Sequence, residues 1–347
     1  MRRSWTDSCT HYFGYLSPPD VHAGARTVTD LLGEGATVVD IVQKVLRPAQ
    51  IEVGRLWQAN EWTVADEHAA SAVTEAALMA AAASINRYEP MTARVVLACP
   101  AGEWHTLPLR MVSEILAEAG FECVFLGASV PAGHLRQYLE RTRPVAVALS
   151  CSHPLSLEGL GEATAAAHSV GTPVVVGGRG LGADGHRAAQ IGADAWADDP
   201  ITAATILAAW AECPPAELAT PPAGPDEPAP DDLELLAVRT HVMTALRRRF
   251  QVMQTYDAQQ LARTYEDIDF IARFAILAAR YKDERIFSEF AAWLREVLTA
   301  RHVPRELLDA SLLAAAGALE KRRPESSSYL RQAAVGTVAL ANFRAVG

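Results

Sequence analysis

Apolar positions recur along this chain in two rhythms. From about residue 21 to 87 they fall at helical spacing. After Thr37, the residues Val38, Ile41, Val42, Val45 and Leu46 share one buried face. Pro48 marks the start of a further helix carrying Ile51, Leu56 and Trp57. Thr63-Val64-Ala65-Asp66 has the Thr-x-x-acid form of a capping box, so another helix begins there and runs through Ala-rich sequence to about Tyr88. The pattern predicts a four-helix bundle over residues 21–90. Residues 1–20, with Trp5, His11, Tyr12, Phe13, Tyr15 and Pro18-Pro19, read as an irregular aromatic arm.

The rhythm changes over residues 91–212. Short apolar runs at Val95–Ala98, Cys123–Leu126, Val145–Ser150, Val174–Gly177 and Ala193–Trp196 alternate with helical stretches near 109–119, 132–142, 157–169 and 183–191. Strands separated by helices predict a doubly wound, parallel, five-stranded α/β domain. Near-continuous runs such as Val145-Ala146-Val147-Ala148-Leu149 suit a sheet covered on both faces. Residues 213–232 are rich in Pro and acidic side chains and form an extended linker. Helical spacing then returns over residues 233–347. Asp257, Asp283, Pro304 and Pro324 stand at helix starts, giving about five helices with a core of their own. The fold class is thus α/β plus all-α.

Composition narrows the function. The chain has 347 residues, 50% of them hydrophobic, and a net charge of −10. An acidic chain with no basic face is not built to neutralise nucleic-acid phosphates, so no DNA partner is expected. Five scattered cysteines without a CxxC pair fit a reducing compartment. With neither an apolar signal core nor a run long enough to span a bilayer, a cytoplasmic protein without a membrane partner is expected.

Candidate chemistry gathers at predicted strand ends. Glu103-Trp104-His105 follows the first strand, Ser150-Cys151-Ser152 ends the third, and Gly177-Gly178 ends the fourth. Strand ends are where ligands bind in such sheets. An acidic residue two positions before a His can hold one ring nitrogen while the other meets a metal. Acid-x-His, then Ser, then Gly-Gly resembles the cobalamin-binding domain of methionine synthases, acyl mutases and corrinoid proteins. The resemblance implies that His105 ligates cobalt from below, with Glu103 behind it. It also implies that the cofactor's nucleotide tail lies beside Ser150, Gly177 and Gly178. Pro108 stands where that motif has a glycine, and Ser152 where it has a leucine.

Trp57, then nine residues, then Glu67-His68 resembles the pattern of the light-sensing, adenosylcobalamin-dependent CarH/LitR-type regulators. That resemblance implies an indole over the adenosyl group, a carboxylate on its ribose hydroxyls and an imidazole beside them. The residue after the Trp is commonly a cobalt-ligating His in that family, and here it is Gln58. A light-state adduct would then use another group, with His68 nearest, or water.

In the C-terminal stretch, Asp269 and Arg273 lie one helical turn apart in a segment apolar nearly all round, with Tyr265, Phe270 and Phe274 close by. They read either as an i,i+4 ion pair or as a pocket for a tetrapyrrole, whose ring N–H groups bond a carboxylate and whose propionates bond arginine. A cobalamin unit, a Pro-rich linker and a helical domain resemble, in layout, the photocobilins. This layout implies a globin-like C-terminal bundle and a biliverdin, held non-covalently because no cysteine lies there; His241 and His302 are further possible contacts.

The expected function is therefore a light sensor, not an enzyme, and a homo-oligomer whose assembly depends on light. The alternatives are a corrinoid methyl-carrier or mutase-type subunit, and a cobalamin-binding regulator whose C-terminal bundle only dimerises.

Overall fold

Alternation of apolar strands with amphipathic helices produces the sheet that the pattern predicts. A computed structural model describes residues 4–85, 93–220 and 227–344, with side chains through residue 334. The expected boundary near residue 90 and the middle of the Pro-rich linker lie outside these residues. The described residues divide into two compact units, the first running to residue 220 without residues 58–60, the second comprising residues 58–60 and those from 227 on.

The first unit opens with α1 (Trp5–Phe13), α2 (Val21–Gly33), α3 (Val38–Ile41), a π-helical turn (Val42–Leu46), α4 (Arg47–Gln58) and α5 (Val64–Ala82). Two expectations are corrected here. The irregular arm is a helix, capped by Ser4, whose side chain accepts from the Asp7 N–H. Tyr12 and Leu16 are fully buried in the bundle core, which explains the aromatic composition. Pro48 also begins no new helix, because backbone from Val38 to Gln58 is helical throughout. The π turn just ahead accommodates the proline, which lacks an N–H and crowds the preceding turn.

A polar chain threads this core. Tyr12 Oη donates to Thr74 Oγ1 at 3.0 Å, Gln50 Nε2 donates to the same oxygen at 2.6 Å, and Ser71 Oγ lies 3.2 Å from Gln50 Oε1. Ser71 Oγ also donates to Glu67 Oε1 at 2.9 Å. Because Thr74 keeps its bond from Gln50, Tyr12→Phe is expected to cost only about 0.5–1.5 kcal/mol in urea unfolding.

The sheet contains β1 (Arg94–Pro100), β2 (Glu122–Val130), β3 (Ala146–Ser150), β4 (Val174–Gly177) and β5 (Ala195–Ala197). Between and after them lie α6 (Thr106–Glu118), α7 (Ala132–Thr142), α8 (Leu157–His168), α9 (His186–Gln190) and α10 (Pro200–Glu212). All pairings are parallel, in the order β2-β1-β3-β4-β5. α6 joins the sheet to the bundle. Its Met111 and Ile115 belong to the bundle core, while its Leu109 and Leu116 belong to the sheet core. The Glu118 carboxylate accepts from the backbone N–H groups of Val38 (2.7 Å) and Val39 (2.9 Å), which otherwise lack helical partners.

The second unit comprises α11 (Asp232–Arg249), α12 (Ala258–Arg280), α13 (Glu284–Ala300), α14 (Arg305–Leu319) and α15 (Pro324–Arg344). Asp257 and Asp283 are N-caps, as their positions predict. Leu235, Val238, Val242 and Leu246 on α11 are buried, and Phe274 stacks on Phe290 with centroids 3.9 Å apart.

Candidate functional site

The strand order reverses between β1 and β3, because the chain leaves β1 toward β2 on one side and β3 toward β4 on the other. A crevice therefore opens over the carboxyl ends of these two strands, where an open parallel sheet takes a ligand. The loop leaving β1 carries Glu103 and His105, and the loop leaving β3 carries Ser152 and His153.

Gly102, at φ 83°, turns the chain after β1. Its N–H donates to Ser129 Oγ at 3.1 Å, and the Ser129 N–H donates to the Glu103 carbonyl at 2.9 Å, so the loop is pinned to the end of β2. His105 is the N-cap of α6, which starts at Thr106 rather than at the expected Leu109. Pro108 thereby occupies the first helical turn. Its missing N–H would have had no intrahelical partner there, so the departure from glycine costs the helix no hydrogen bond.

Glu103 is completely buried, and both of its oxygens are used. Oε1 lies 2.6 Å from His105 Nδ1 and accepts from the His105 backbone N–H at 2.9 Å. Oε2 accepts from the N–H groups of Ser152 (2.7 Å) and His153 (3.1 Å), so one carboxylate ties the two loops together. Burial pushes its pKa up, but the hydrogen bonds from the His105 side chain and backbone outweigh burial and hold it below the usual range. Facing a carboxylate, Nδ1 is the nitrogen that holds the proton of a neutral ring, which leaves the Nε2 electron pair for a metal. The His105 side chain is 64% exposed, which leaves that pair accessible.

Ser150, buried at the end of β3, is in register with Gly177. Gly178 has φ 107°, and a Cβ there would stand 2.3 Å from the Cys151 carbonyl oxygen. The Cys151 N–H donates to the Gly177 carbonyl and the Gly180 N–H to the Cys151 carbonyl, both at 2.9 Å. The paired glycines are therefore required first by close packing of the β3 and β4 loops. Residue patterning did not reveal Arg187, which is fully buried and whose Nη1 donates to the Gly180 carbonyl at 3.2 Å. Its one visible signal is a basic residue among small apolar ones in a short helix.

Of the bundle residues, Trp57 is half-buried near the end of α4, and Glu67 lies in the first turn of α5. Glu67 bonds Ser71 through one oxygen and His68 Nδ1 through the other, while the His68 side chain is 74% exposed. The pKa of His105 is raised, first by the Glu103 hydrogen bond and, after burial acts against it, by the charges of Glu103 and Glu67. Among the described residues no group of three or more His, Cys, Asp or Glu could hold a bare metal ion. A single imidazole backed by a carboxylate suits a metal whose other ligands come from a macrocycle.

Residues 93–205 match a family model described as a B12 binding domain, and residues 20–81 match a second model with that description. Both segments are B12-binding domains. Cobalamin is thus the cofactor class of the first unit, and its residues fit it: an accessible His105 nitrogen over the switch point and a buried Ser150 beside paired glycines. The monomethylamine corrinoid protein of Methanosarcina barkeri superposes with a TM-score of 0.51 at 19% identity, over 59% of this chain and 98% of that one. A cobalamin-binding protein of Desulfitobacterium hafniense aligns at 20% identity, covering 60% of this chain and 99% of its own, with a TM-score of 0.35. The methanol:cobalamin methyltransferase complex of M. barkeri aligns at 14% identity over 60% and 80% of the two chains, with a TM-score of 0.34. No curated protein matches the chain.

One expectation about function is corrected by these findings. The chain was expected to stand apart from enzymes, yet its B12-binding unit shares the fold of a corrinoid protein, so that expectation does not stand. Among the described residues no helix is long and apolar enough to cross a membrane.

In the second unit the expected Asp269–Arg273 pair is absent. Asp269 instead takes a two-pronged bond from Arg239 of α11, at 3.0 and 2.5 Å. Arg239 also lies 5.8 Å from the ring centre of Tyr265, while Arg273 is exposed. Arg239, on the neighbouring helix, presents its planar guanidinium to both Asp269 oxygens. Phe270 is exposed and Phe274 is packed against Phe290. Tyr265, Asp269 and Arg273 therefore do not converge on one cradle, and as a set they do not fit a bilin.

Proposed function

We propose that the first unit holds adenosylcobalamin, with His105 below cobalt and Trp57, Glu67 and His68 around the upper group, and that it serves as a light sensor. The observation that carries this reading is an exposed His105 backed by the buried Glu103 carboxylate at the switch point, in a unit whose B12-binding bundle carries Trp57, Glu67 and His68. When bound, adenosylcobalamin supplies a cobalt–carbon bond that visible light breaks.

The chain's own residues do the rest. Glu103 keeps the proton on His105 Nδ1 and aims Nε2 at the metal. Trp57 covers the upper group, Glu67 accepts its hydroxyls, and His68 stands beside it. After illumination these three have nothing to hold, and the bundle is free to take a different position and alter contacts between copies. Were the upper group lost, His68 would be the nearest side chain that could supply a nitrogen in its place, since the Gln58 amide is a poor metal ligand.

The test is cofactor choice followed by light. Wild type is expected to bind adenosylcobalamin at least tenfold more tightly than methylcobalamin in the dark and to change its spectrum under green light. Trp57→Ala and Glu67→Ala are expected to abolish the preference while retaining methylcobalamin. Equal affinity of wild type for the two forms would overturn the sensor and favour a methyl carrier.

A further inference from the structure

Among the described residues the outer face of α11 is left exposed. Leu233 and Leu236 are 76% and 51% exposed, and Leu313 of α14 is 42% exposed. Past the α11 leucines, the same helix forms a shallow open depression lined by Ala237, Thr240, His241, Thr244, Ala245 and Arg248. Positions 233, 237, 240 and 244 follow one another at spacings of four, three and four, the seam of a helix that packs lengthwise on another. Small side chains in the middle of that seam permit close approach, and leucines at one end supply the knobs.

Charge selects the occupant and its direction. α11 begins with Asp231 and Asp232 and ends with Arg247, Arg248 and Arg249. A second α11 laid parallel would set three arginines against three arginines. Laid antiparallel, it sets each acidic start against a basic end. A two-fold axis between Thr240 and His241 then pairs Ala237 with Thr244 across the seam.

We propose that α11 is a self-recognition surface, through which two copies of this chain pair antiparallel in the C-terminal unit. The surface is isologous, so one patch serves both copies and the assembly closes at two. This inference does not rest on the cofactor reading.

Cysteine placement tests it on the full-length protein. Near the axis, Thr240→Cys faces its own copy, so mild oxidation is expected to give covalent dimer well above the wild-type level set by exposed Cys213. Leu233→Cys lies at the end of the seam, opposite Arg248, and is expected to stay at that level. Sedimentation gives a second reading. Ala237→Arg is expected to convert the dimer to a single chain with unchanged circular dichroism. Arg247→Glu with Arg248→Glu is expected to raise the dimer dissociation constant at least tenfold, and adding Asp232→Arg to recover much of it. Strong self-linking of Leu233→Cys would indicate a parallel pair and overturn the proposal. So would an Ala237→Arg protein that still sediments as wild type, or a wild type that sediments as one chain at tens of micromolar.

Discussion

Replacing Glu103 with Ala is expected to destabilise the first unit by about 3–5 kcal/mol. Three backbone N–H groups, those of His105, Ser152 and His153, lose the acceptor that satisfies them in a fully buried position. Each orphaned buried donor costs roughly 1–3 kcal/mol, and water entering the crevice recovers part of the total. Glu103→Gln separates structure from chemistry. It keeps the volume and one acceptor but turns an NH2 toward groups that themselves donate, so an intermediate loss is expected. Its larger effect falls on cofactor binding. His105 would no longer be held with the proton on Nδ1, and changes to such supporting groups typically weaken metal affinity by about 10–100-fold. Urea unfolding and cobalamin titration check the two effects separately. An alanine variant within about 0.5 kcal/mol of wild type would show that the two loops do not depend on this carboxylate.

Gly178→Ala is expected to be the other severe change, about 3 kcal/mol or more. At φ 107° and ψ 159°, a conformation essentially reserved for glycine, a Cβ costs about 1–3 kcal/mol by itself. The new carbon would also meet the Cys151 carbonyl at 2.3 Å, a contact with backbone that no side-chain rotation relieves. Gly177 provides an internal control. Its Cβ would stand 3.0 Å from the Ala197 carbonyl, and its φ lies outside the left-handed region, so Gly177→Ala should cost clearly less. Comparing the two melting temperatures decides whether the glycine pair serves loop packing. Equal losses would argue instead that a shared ligand channel governs both.

The sheet was readable because buried parallel strands are near-continuous apolar runs; the β4 limits agree residue for residue, and β3 differs by one. β2 extends four residues past its expected end, because Gly127 and Ser129 at positive φ bend the strand without breaking its pairing. Local patterning misplaced what long-range packing decides. Tyr12 looks like surface clutter in sequence and is core, because its partners lie on α5 some sixty residues on. Asp269 was assigned a neighbour four residues away, since spacing reveals only intrahelical partners, whereas Arg239 lies thirty residues back on another helix. The Glu103–His105 half of the crevice was legible, as both residues share one loop. The other half was not, because the backbone N–H groups of Ser152 and His153 leave no mark in a pattern of side chains.

The hydrogen-bonded chain from Glu67 through Ser71, Gln50 and Thr74 to Tyr12 also settles where an optical reporter belongs. A fluorophore near His105 would compete with the ligand it is meant to sense. One attached at exposed Asp7, on the helix that Tyr12 anchors, sits at the far end of that chain. It can register what happens to Glu67 without entering the crevice, and in a Thr74→Val background it should fall silent.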